Sequence, residues 1–450
     1  MIEEKKNDKL SKWIHILLLV YLISICVFLA YHAGFETAPD EGMKYQLIEY
    51  IAKHMSLPHG GNVDLINKIW GTTYAFTPYL SYIITSIFVR ICMIFTSSLK
   101  VLVFVSRLTS LLFYVLYFEV IWLIAKKLFV GSFKYLFVVL CTFIPTIVYL
   151  GTYINTDTFS LFCVALIFLE WLNGIESNWN KKSCILLGIG LGLCFLSYYF
   201  YYGFILCSFF LYVLSNIAKK NSFKTFFKKG LLIFFVTFLV CGWWFIRQYK
   251  LYDGDIIGLR VSNEYSEKYA DEIHKPTYLA ENAKKKFQFD SWVLASTDSF
   301  FGIFRYNDIH YHYDVYCAFY LIMFFGLAFF IIKMVSKKEK EFDFPFKIES
   351  KFERIALYSC LLLAIIIPWF LSYYYSRYVD YQPQGRYLLS GCICLMVFVV
   401  SGYQYLLRKN KILKNIIVSF IIASFVLLPI YTYFHFLRGN IENKIVEKIK

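Results

Sequence analysis

Charged residues are scarce in this chain. Only 17% of its 450 residues are Asp, Glu, Lys or Arg, whereas a soluble globular protein carries about 25%. Hydrophobic residues make up 59%, and the mean hydropathy is +0.55. Apolar runs of near-spanning length recur from end to end. The sequence therefore predicts an all-α polytopic membrane protein rather than a soluble one.

Signatures of metal, redox and nucleotide sites are also missing. The 12 cysteines are scattered without CxxC or Cys/His spacing, which argues against a disulfide framework and a zinc site. There is no P-loop or Gly-rich dinucleotide motif, and no internal repeat of the kind that transporters with two related halves show. No metal ligand and no certain cofactor are predicted, although the sequence leaves the participation of a divalent cation open.

The net charge of +15 has a topological explanation rather than a nucleic-acid partner. Basic residues cluster in the polar breaks at 126–134, 181–182, 219–229, 333–354 and 408–414, as the positive-inside rule predicts for cytoplasmic loops. The first apolar run, 13–31, lacks a small-residue cleavage site and is predicted to be retained.

If every basic break is cytoplasmic, the chain crosses the membrane an even number of times between successive breaks. Counting the apolar runs under this condition predicts about eleven transmembrane helices. Both flanks of residues 74–95 would lie outside, so this segment is predicted to be re-entrant or juxtamembrane; the competing interpretation keeps it as a span. We expect three parts. These are an N-terminal catalytic transmembrane module at 1–250 with a first outer loop at 32–75, a large outer loop at 251–313, and C-terminal transmembrane helices at 314–450.

Two adjacent carboxylates, Asp40 and Glu41, open the stretch 36–61. Apolar residues at spacings of three and four predict an outer amphipathic helix here, lying along the membrane surface. One interpretation is a capping box in which Thr37 is the N-cap and Asp40 bonds its backbone amide. The other is a general base, because a carboxylate at the membrane–water boundary can accept the proton of a hydroxyl nucleophile.

Asn155 and Asp157 lie at the tip of a predicted hairpin on the same side of the membrane. They are either a polar turn, in which the negative charge suits the start of a helix, or contacts to a substrate opposite Asp40. The sequence alone leaves both interpretations open.

Three basic residues near the outer segments are candidates for binding an anion. Arg386 follows Gln384-Gly385 where a loop enters a span, Arg305 lies in the long outer loop, and Lys44 comes one helical turn after Asp40. Each arginine is either an interfacial side chain that reaches water or a cation for a lipid-linked phosphate, which a guanidinium can bind bidentately. For Lys44 the alternative is an exposed helix lysine.

Arg107 has a different explanation. It is predicted to lie within a span, where a charge is costly unless it is paired. We therefore expect it to meet a partner on another helix and to be structural.

Together these features resemble the GT-C superfamily of integral-membrane glycosyltransferases, in particular a bacterial branch related to protein O-mannosyltransferases and aminoarabinose transferases. The resemblance is carried by the order of six short motifs: Pro39-Asp40-Glu41, Phe76-Thr-Pro78-Tyr79, Asn155-x-Asp157, Gly242-Trp-Trp-Phe-Ile-Arg247, Ser299-Phe-Phe-Gly302 and Gln384-Gly-Arg386-Tyr387.

The resemblance implies a GT-C-like fold and an inverting transferase in the bacterial cytoplasmic membrane, with its active site facing outside. The implied donor is a sugar on a polyprenyl phosphate such as undecaprenyl phosphate, and the implied acceptor is a hydroxyl or amine outside the membrane. No sequon-binding motif of an oligosaccharyltransferase is present, which favours a cell-surface glycan or another acceptor over a folded protein. Asp40 corresponds to the family's general base and Glu41 to the second acidic residue of the pair. The residues implied to bind donor phosphate or substrate are Lys44, Asn155, Asp157, Arg305, Gln384 and Arg386.

A lipid-linked sugar translocase or another membrane transporter is the alternative. It requires ionisable residues along a path through the spans, and beyond Arg107 and Glu119 the spans offer few. A non-catalytic scaffold would leave the paired carboxylates and the polar outer segments without a role.

Overall fold

The computed structural model describes residues 2–305, 309–336, 346, 348 and 350–434, with side chains from residue 9 onward. Within these residues the regular secondary structure is helical apart from one short β-hairpin, as the composition predicts. The α-helices are α1 (Ile2–His32), α2 (Glu41–His54), α3 (Leu80–Cys92), α4 (Leu99–Leu128), α5 (Ser132–Thr142), α6 (Pro145–Leu150), α7 (Asp157–Ser177), α8 (Lys181–Phe195), α9 (Gly203–Ala218), α10 (Phe223–Leu251), α11 (Leu259–Tyr269), α12 (Pro276–Lys286), α13 (Phe289–Gly302), α14 (Tyr313–Val335), α15 (Lys351–Tyr378), α16 (Cys392–Leu406) and α17 (Lys411–Thr432). Three 3₁₀ turns, at Tyr199–Tyr201, Glu272–His274 and Gly385–Gly391, complete the helical segments.

Nine helical segments of the described chain are long and apolar enough to cross a membrane: Lys9–His32, Leu99–Leu128, Asp157–Ser177, Tyr199–Ala218, Phe223–Leu251, Tyr313–Val335, Lys351–Tyr378, Gly385–Leu406 and Lys411–Thr432. The sequence predicted about eleven spans. The other two correspond to α8, which has 15 residues, and to α5 and α6, which are separate helices with Pro145 at the start of α6. At 1.5 Å per residue, these helices are shorter than the hydrocarbon core of about 30 Å.

Helix α3 occupies the segment that the sequence predicted would not cross. Its 13 residues extend about 20 Å, and it packs against α2 and α4. This length agrees with a juxtamembrane or re-entrant element and not with a span.

Burial divides the bundle into a centre and a periphery. In the most apolar window of each span, 67% of the α4 residues, 83% of the α7 residues and 89% of the Gly385–Leu406 residues are buried, against 22% for α1, α10, α14 and α17. Helix α4 packs on α7, and α16 packs on α5 and α14. The central helices hold one continuous hydrophobic core, and the apolar faces of the peripheral helices are left for lipid.

The predicted large outer loop is mostly regular structure. It forms α11, α12 and α13, followed by antiparallel strands β1 (Ile303–Phe304) and β2 (Ile309–His310). It also packs on the first outer segment, since the Asp271 N–H donates to the Ile69 carbonyl at 3.1 Å and Thr72 Oγ1 lies 2.7 Å from Ser262 Oγ. The two polar segments therefore make one layer at one end of the bundle.

Helix α1 connects the two ends of the bundle. Near its beginning, Ser11 accepts a hydrogen bond from Lys134 at 2.7 Å. Near its end, the Ala30 carbonyl accepts one from Arg107 at 2.8 Å. These two positions lie about 28 Å apart along the helix, so Lys134 and Arg107 belong to opposite ends.

Candidate active site

Helix α2 begins one residue after Asp40. Asp40 occupies the N-cap position with φ 57° and ψ 18°, a left-handed conformation, and its side chain makes no capping hydrogen bond. Thr37 Oγ1 instead donates to the Gly34 carbonyl at 2.8 Å. The capping-box interpretation is therefore wrong. Asp tolerates the left-handed region better than most residues do, and here that geometry turns its carboxylate away from the backbone of α2.

A tyrosine positions the Asp40 carboxylate. The Tyr74 hydroxyl donates to Asp40 Oδ2 at 2.9 Å, and no other described side chain bonds to this carboxylate. Burial and the nearby Asp40 charge raise the pKa of Tyr74 well above its usual value, so the phenol stays protonated and remains a donor. Asp40 itself is half-buried. Its carboxylate is thus held by one fixed contact in a partly open position.

Glu41 has very different surroundings. Its side chain is fully buried and paired bidentately with Arg107, whose Nε lies 2.8 Å from Oε1 and whose Nη2 lies 2.7 Å from Oε2. Arg107 also donates to the carbonyls of Ala30, Ala33 and Gly34 at 2.7–2.8 Å. The prediction that Arg107 meets a partner on another helix is confirmed, and that partner is Glu41. This pair joins α4, the end of α1 and the start of α2.

Lys44 is buried, with 3% of its surface exposed, so the interpretation of an exposed helix lysine is wrong. Its Nζ donates to the Pro39 carbonyl at 2.7 Å and lies 5.6 Å from the ring centres of both Tyr74 and Tyr153. Burial lowers its pKa to about 8, and the Asp40 charge opposes that shift. This ammonium group therefore contacts the backbone immediately before Asp40.

The hairpin tip at 151–156 brings Asp157 toward the same place. The Asn155 amide donates to the Leu150 and Tyr153 carbonyls at 2.6 and 2.8 Å, and its oxygen accepts from the Thr158 N–H at 3.1 Å. The Asn155 side chain therefore uses its hydrogen bonds to form the turn, not for the substrate contact that the sequence predicted. Asp157 is buried, and it interacts electrostatically with Arg386 and Lys44.

Two motifs far apart in sequence, one around Ser299 and one around Gly385, contact each other. The Gly385 N–H donates to Ser299 Oγ, and a Cβ at Gly385 would overlap the backbone of Phe300. Glycine is required here because the two backbones touch. This contact fixes where the next residue, Arg386, leaves the 3₁₀ turn.

A cavity opens between these motifs and the segment before α2. Its empty space is about 380 Å³, including the opening to solvent. It is lined by Pro39, Tyr149, Tyr153, Ser299, Arg305, Gln384 and Arg386, among others. Three residues that the sequence predicted to bind substrate, Arg305, Gln384 and Arg386, thus line one cavity next to Asp40. Asp40, Lys44, Asn155 and Asp157 do not line it, but Pro39, directly before Asp40, does.

The Arg386 side chain has unused hydrogen-bonding capacity. Its guanidinium lies 5.2 Å from the Tyr387 ring centre, while its Nε is buried without a hydrogen-bond partner among the described residues. A buried donor without a partner costs about 1–3 kcal/mol. Such a donor lining a cavity favours an anionic ligand.

The assembled cluster contains two carboxylates and two cations. Electrostatic interactions connect Lys44 with Asp40, Asp157 and Arg386, and they connect Tyr74 with both Asp40 and Arg386. In the described part of the chain, no three His, Cys, Asp or Glu residues lie close enough together to form a metal site. The arrangement offers a proton acceptor beside a positively charged cavity.

Sequence reasoning missed Tyr74 and Tyr153, which contact Asp40, Lys44 or the cavity. The chain has 38 tyrosines, and their abundance is typical of interfacial belts. The available signal was position, because Tyr74 lies two residues before the Phe76-Thr-Pro78-Tyr79 motif.

Comparison with solved structures defines the class of fold. The oligosaccharyltransferase AglB from Archaeoglobus fulgidus, in complex with an inhibitory peptide and a dolichol-phosphate, matches with a TM-score of 0.56 and 15% identity over 93% of this chain and 55% of that chain. Its apo form matches with a TM-score of 0.56 and 16% identity. ArnT from Cupriavidus metallidurans bound to undecaprenyl phosphate gives a TM-score of 0.42 and 11% identity over 88% of this chain and 78% of that chain. The protein has a GT-C-like membrane fold, and it spans about half the length of AglB.

The sequence itself assigns the family. A family model described as "Predicted membrane protein (DUF2142)" matches residues 62–395, and the chain belongs to this family. No curated protein matches the sequence. Asp40, Glu41 and Lys44 precede the matched range, whereas Asp157, Arg305 and Arg386 fall within it.

Proposed function

We propose that this protein is a glycosyltransferase that moves a sugar from a polyprenyl phosphate to an acceptor hydroxyl at the outer face of the cytoplasmic membrane. One observation carries the proposal: Pro39, directly before the half-buried Asp40, lines a cavity that also has Arg305 and Arg386 on its wall, and Lys44 interacts with both Asp40 and Arg386. Such a site suits a reaction in which a hydroxyl loses a proton while a phosphate leaves.

The proposed reaction is a single displacement with inversion. The acceptor oxygen forms a bond to the anomeric carbon while the bond from that carbon to the phosphate oxygen breaks. The hydroxyl proton passes to the Asp40 carboxylate, and the bonding electron pair leaves with the polyprenyl phosphate. General base catalysis of this kind contributes about 10² to 10⁴ in rate.

Arg386 is the proposed principal cation for the departing phosphate. Its buried Nε lacks a partner among the described residues, and a preorganised cation stabilises a charge that grows in the transition state. Lys44 supplies a second positive charge, and Arg305 and Gln384 line the remainder of the cavity.

The other predicted site residues take positioning roles in this proposal. Glu41 holds the start of α2 through Arg107 and leaves the proton transfer to Asp40. Asn155 shapes the turn before α7. Asp157 balances the charge of Arg386 and Lys44 from within the protein.

The distribution of basic residues supports an outward-facing site. The Arg107 end of α1 carries the candidate site, and Lys134 lies at its other end. The basic breaks at 126–134 and 408–414 follow the far ends of α4 and α16, which places them at the Lys134 end. The positive-inside rule assigns that end to the cytoplasm. The donor is then an outer-leaflet polyprenyl-phosphate sugar, and the proposed acceptor is a cell-surface glycan.

Pairing within the spans argues against the transporter alternative. Arg107 is neutralised by Glu41, and Glu119 lies 2.9 Å from His15 Nε2. These contacts hold Arg107 and Glu119 to partners within the bundle.

The test is transfer of label from donor to acceptor. Purified protein is incubated with radiolabelled undecaprenyl-phosphate sugars and a cell-wall fraction, and the glycan is separated from the lipid. We expect wild-type protein to label the glycan and Asp40→Asn to lose about 10²-fold or more in rate. Asp64→Asn removes an exposed carboxylate from the same outer segment and should leave the rate unchanged. Near-full activity of Asp40→Asn would show that the base is assigned wrongly.

A further inference from the structure

A second cavity lies at the end of the bundle opposite Asp40. Its cationic lining residues are Lys333, Arg408, Lys409, Lys411 and Lys414, and its described lining contains no carboxylate. We call it the basic cavity. Its empty space is about 920 Å³, including the opening to solvent.

The position of the basic cavity follows from the helices that form it. Gly131 and Phe133 line it where α5 begins, next to Lys134, which bonds Ser11 at the start of α1. The remaining lining comes from the end of α14, the end of α16 and the start of α17. The basic cavity is therefore separated from the candidate active site by the length of the membrane spans, and no residue is shared between the two.

The cationic side chains of the basic cavity differ in burial. Lys333, in the last turn of α14, is 6% exposed, whereas Lys409 and Lys411 are exposed at the rim. Helix α17 also begins at this rim with Asn410 as its cap, so the positive end of its dipole points to the same region. A site of this kind attracts a phosphate group.

Apolar surface continues directly from the rim of the basic cavity along α17. Ile412, Ile416 and Phe420 are 74%, 61% and 70% exposed and repeat every fourth residue, so they form one stripe on the helix. On α14, Val335 is 75% exposed beside Lys333. A ligand that suits this surface carries an anionic phosphate head joined to hydrocarbon.

We propose that the basic cavity binds the headgroup of an anionic phospholipid, with its acyl chains along the exposed stripe of α17. Basic pockets between membrane helices at the cytoplasmic side are a recognised chemistry for such lipids. A soluble phosphate would use the cations but not the apolar stripe. This proposal does not depend on glycosyl transfer, since it concerns the other end of the bundle.

The test is binding of short-chain lipids to the detergent-purified full chain. Dioctanoyl phosphatidylglycerol should bind saturably, and its zwitterionic phosphatidylcholine counterpart should not. The double variant Lys411→Gln/Lys414→Gln should weaken phosphatidylglycerol binding roughly twenty-fivefold, because each lysine near an anionic headgroup contributes about fivefold. Both lysines lie on the first turn of α17, and an unchanged thermal-unfolding midpoint without lipid verifies that the fold is kept.

A matched double variant supplies the control. Lys224→Gln/Lys228→Gln removes two exposed lysines from the start of α10, which do not line the basic cavity, and it should bind phosphatidylglycerol like wild type. Equal losses in both double variants would show non-specific charge attraction and overturn the site. Displacement of the lipid by millimolar inorganic phosphate would show a soluble-anion site and overturn the lipid assignment.

Discussion

Two neighbouring carboxylates begin the outer helix α2, and their surroundings differ completely. Glu41 is fully buried and has both oxygens bound by Arg107. Asp40 is half-buried, has one hydrogen bond from Tyr74, and follows Pro39, which lines a cavity with two arginines on its wall. Two adjacent positions therefore hold a carboxylate closed in an ion pair and a carboxylate that is partly open.

The difference shows how the fold gives two adjacent acidic residues different roles. A buried ion pair is tolerated only when its hydrogen bonds are complete, and the three carbonyls around Arg107 complete them. This closed pair fixes the backbone at the start of α2. The residue before it, Asp40, can then be held in a left-handed conformation in which its carboxylate accepts from Tyr74 and does not cap α2.

The largest expected effect on stability comes from breaking the closed pair. Glu41→Gln leaves Arg107 as an uncompensated buried charge, which we expect to destabilise the fold by about 3–5 kcal/mol. Thermal unfolding in detergent measures this as a clear fall in the midpoint, with activity lost along with folded protein.

The control for Glu41 is Glu49→Gln in the same helix. Glu49 forms an exposed pair with Lys53 at 2.9 Å, and such i,i+4 pairs contribute about 0.3–0.5 kcal/mol. Its unfolding midpoint should barely change. If Glu41→Gln kept the wild-type midpoint and lost only activity, Glu41 would belong to the chemistry and the comparison would fail.

The next effect concerns the cation on the cavity wall. Arg386→Gln removes the proposed stabiliser of the leaving phosphate, and we expect the transfer rate to fall about 10² to 10³-fold, as for loss of a preorganised transition-state donor. Steady-state transfer rates measure it, with circular dichroism to verify the fold. Arg377→Gln removes an exposed arginine at the end of α15 and should keep wild-type activity. Equal rates for the two variants would exclude Arg386 from phosphate stabilisation.

The smallest effect is a pH dependence from Lys44. Burial lowers its pKa to about 8, so the ammonium is charged below that pH and neutral above it. We therefore expect kcat/KM for the donor to decline as pH rises through about 8. Lys44→Arg keeps its charge at these pH values and should move the decline to higher pH, whereas Lys53→Arg on the exposed side of α2 should not. If the decline of kcat/KM with pH were unchanged in Lys44→Arg, a group other than Lys44 would cause it.

Composition predicted the all-α membrane fold. The resemblance carried by the motifs predicted that Asp40, Arg305, Gln384 and Arg386 belong to one site, and the last three line one cavity. The position of Arg386 could be expected to matter because its motif lies where an outer segment enters a span. Hydrophobic patterning also gave the correct reason for Arg107 to be paired.

The rest depended on contacts between residues far apart in the chain. Glu41 and Arg107 are 66 residues apart, and nothing local in either segment identifies the partner. The cap at Thr37 matched a common motif, but the closed pair and the Lys44–Pro39 contact set the start of α2 at Glu41. The helices of the long outer segment form against residues 69–72, which local polarity does not predict.

The most direct test of Asp40 separates donor binding from chemistry. A single-turnover experiment mixes enzyme saturated with radiolabelled donor with excess acceptor and follows the first transfer in wild type and Asp40→Asn. We expect Asp40→Asn to bind donor and to unfold like wild type but to transfer at least about 10²-fold more slowly. A wild-type single-turnover rate in this variant would contradict the assignment of Asp40 as the base.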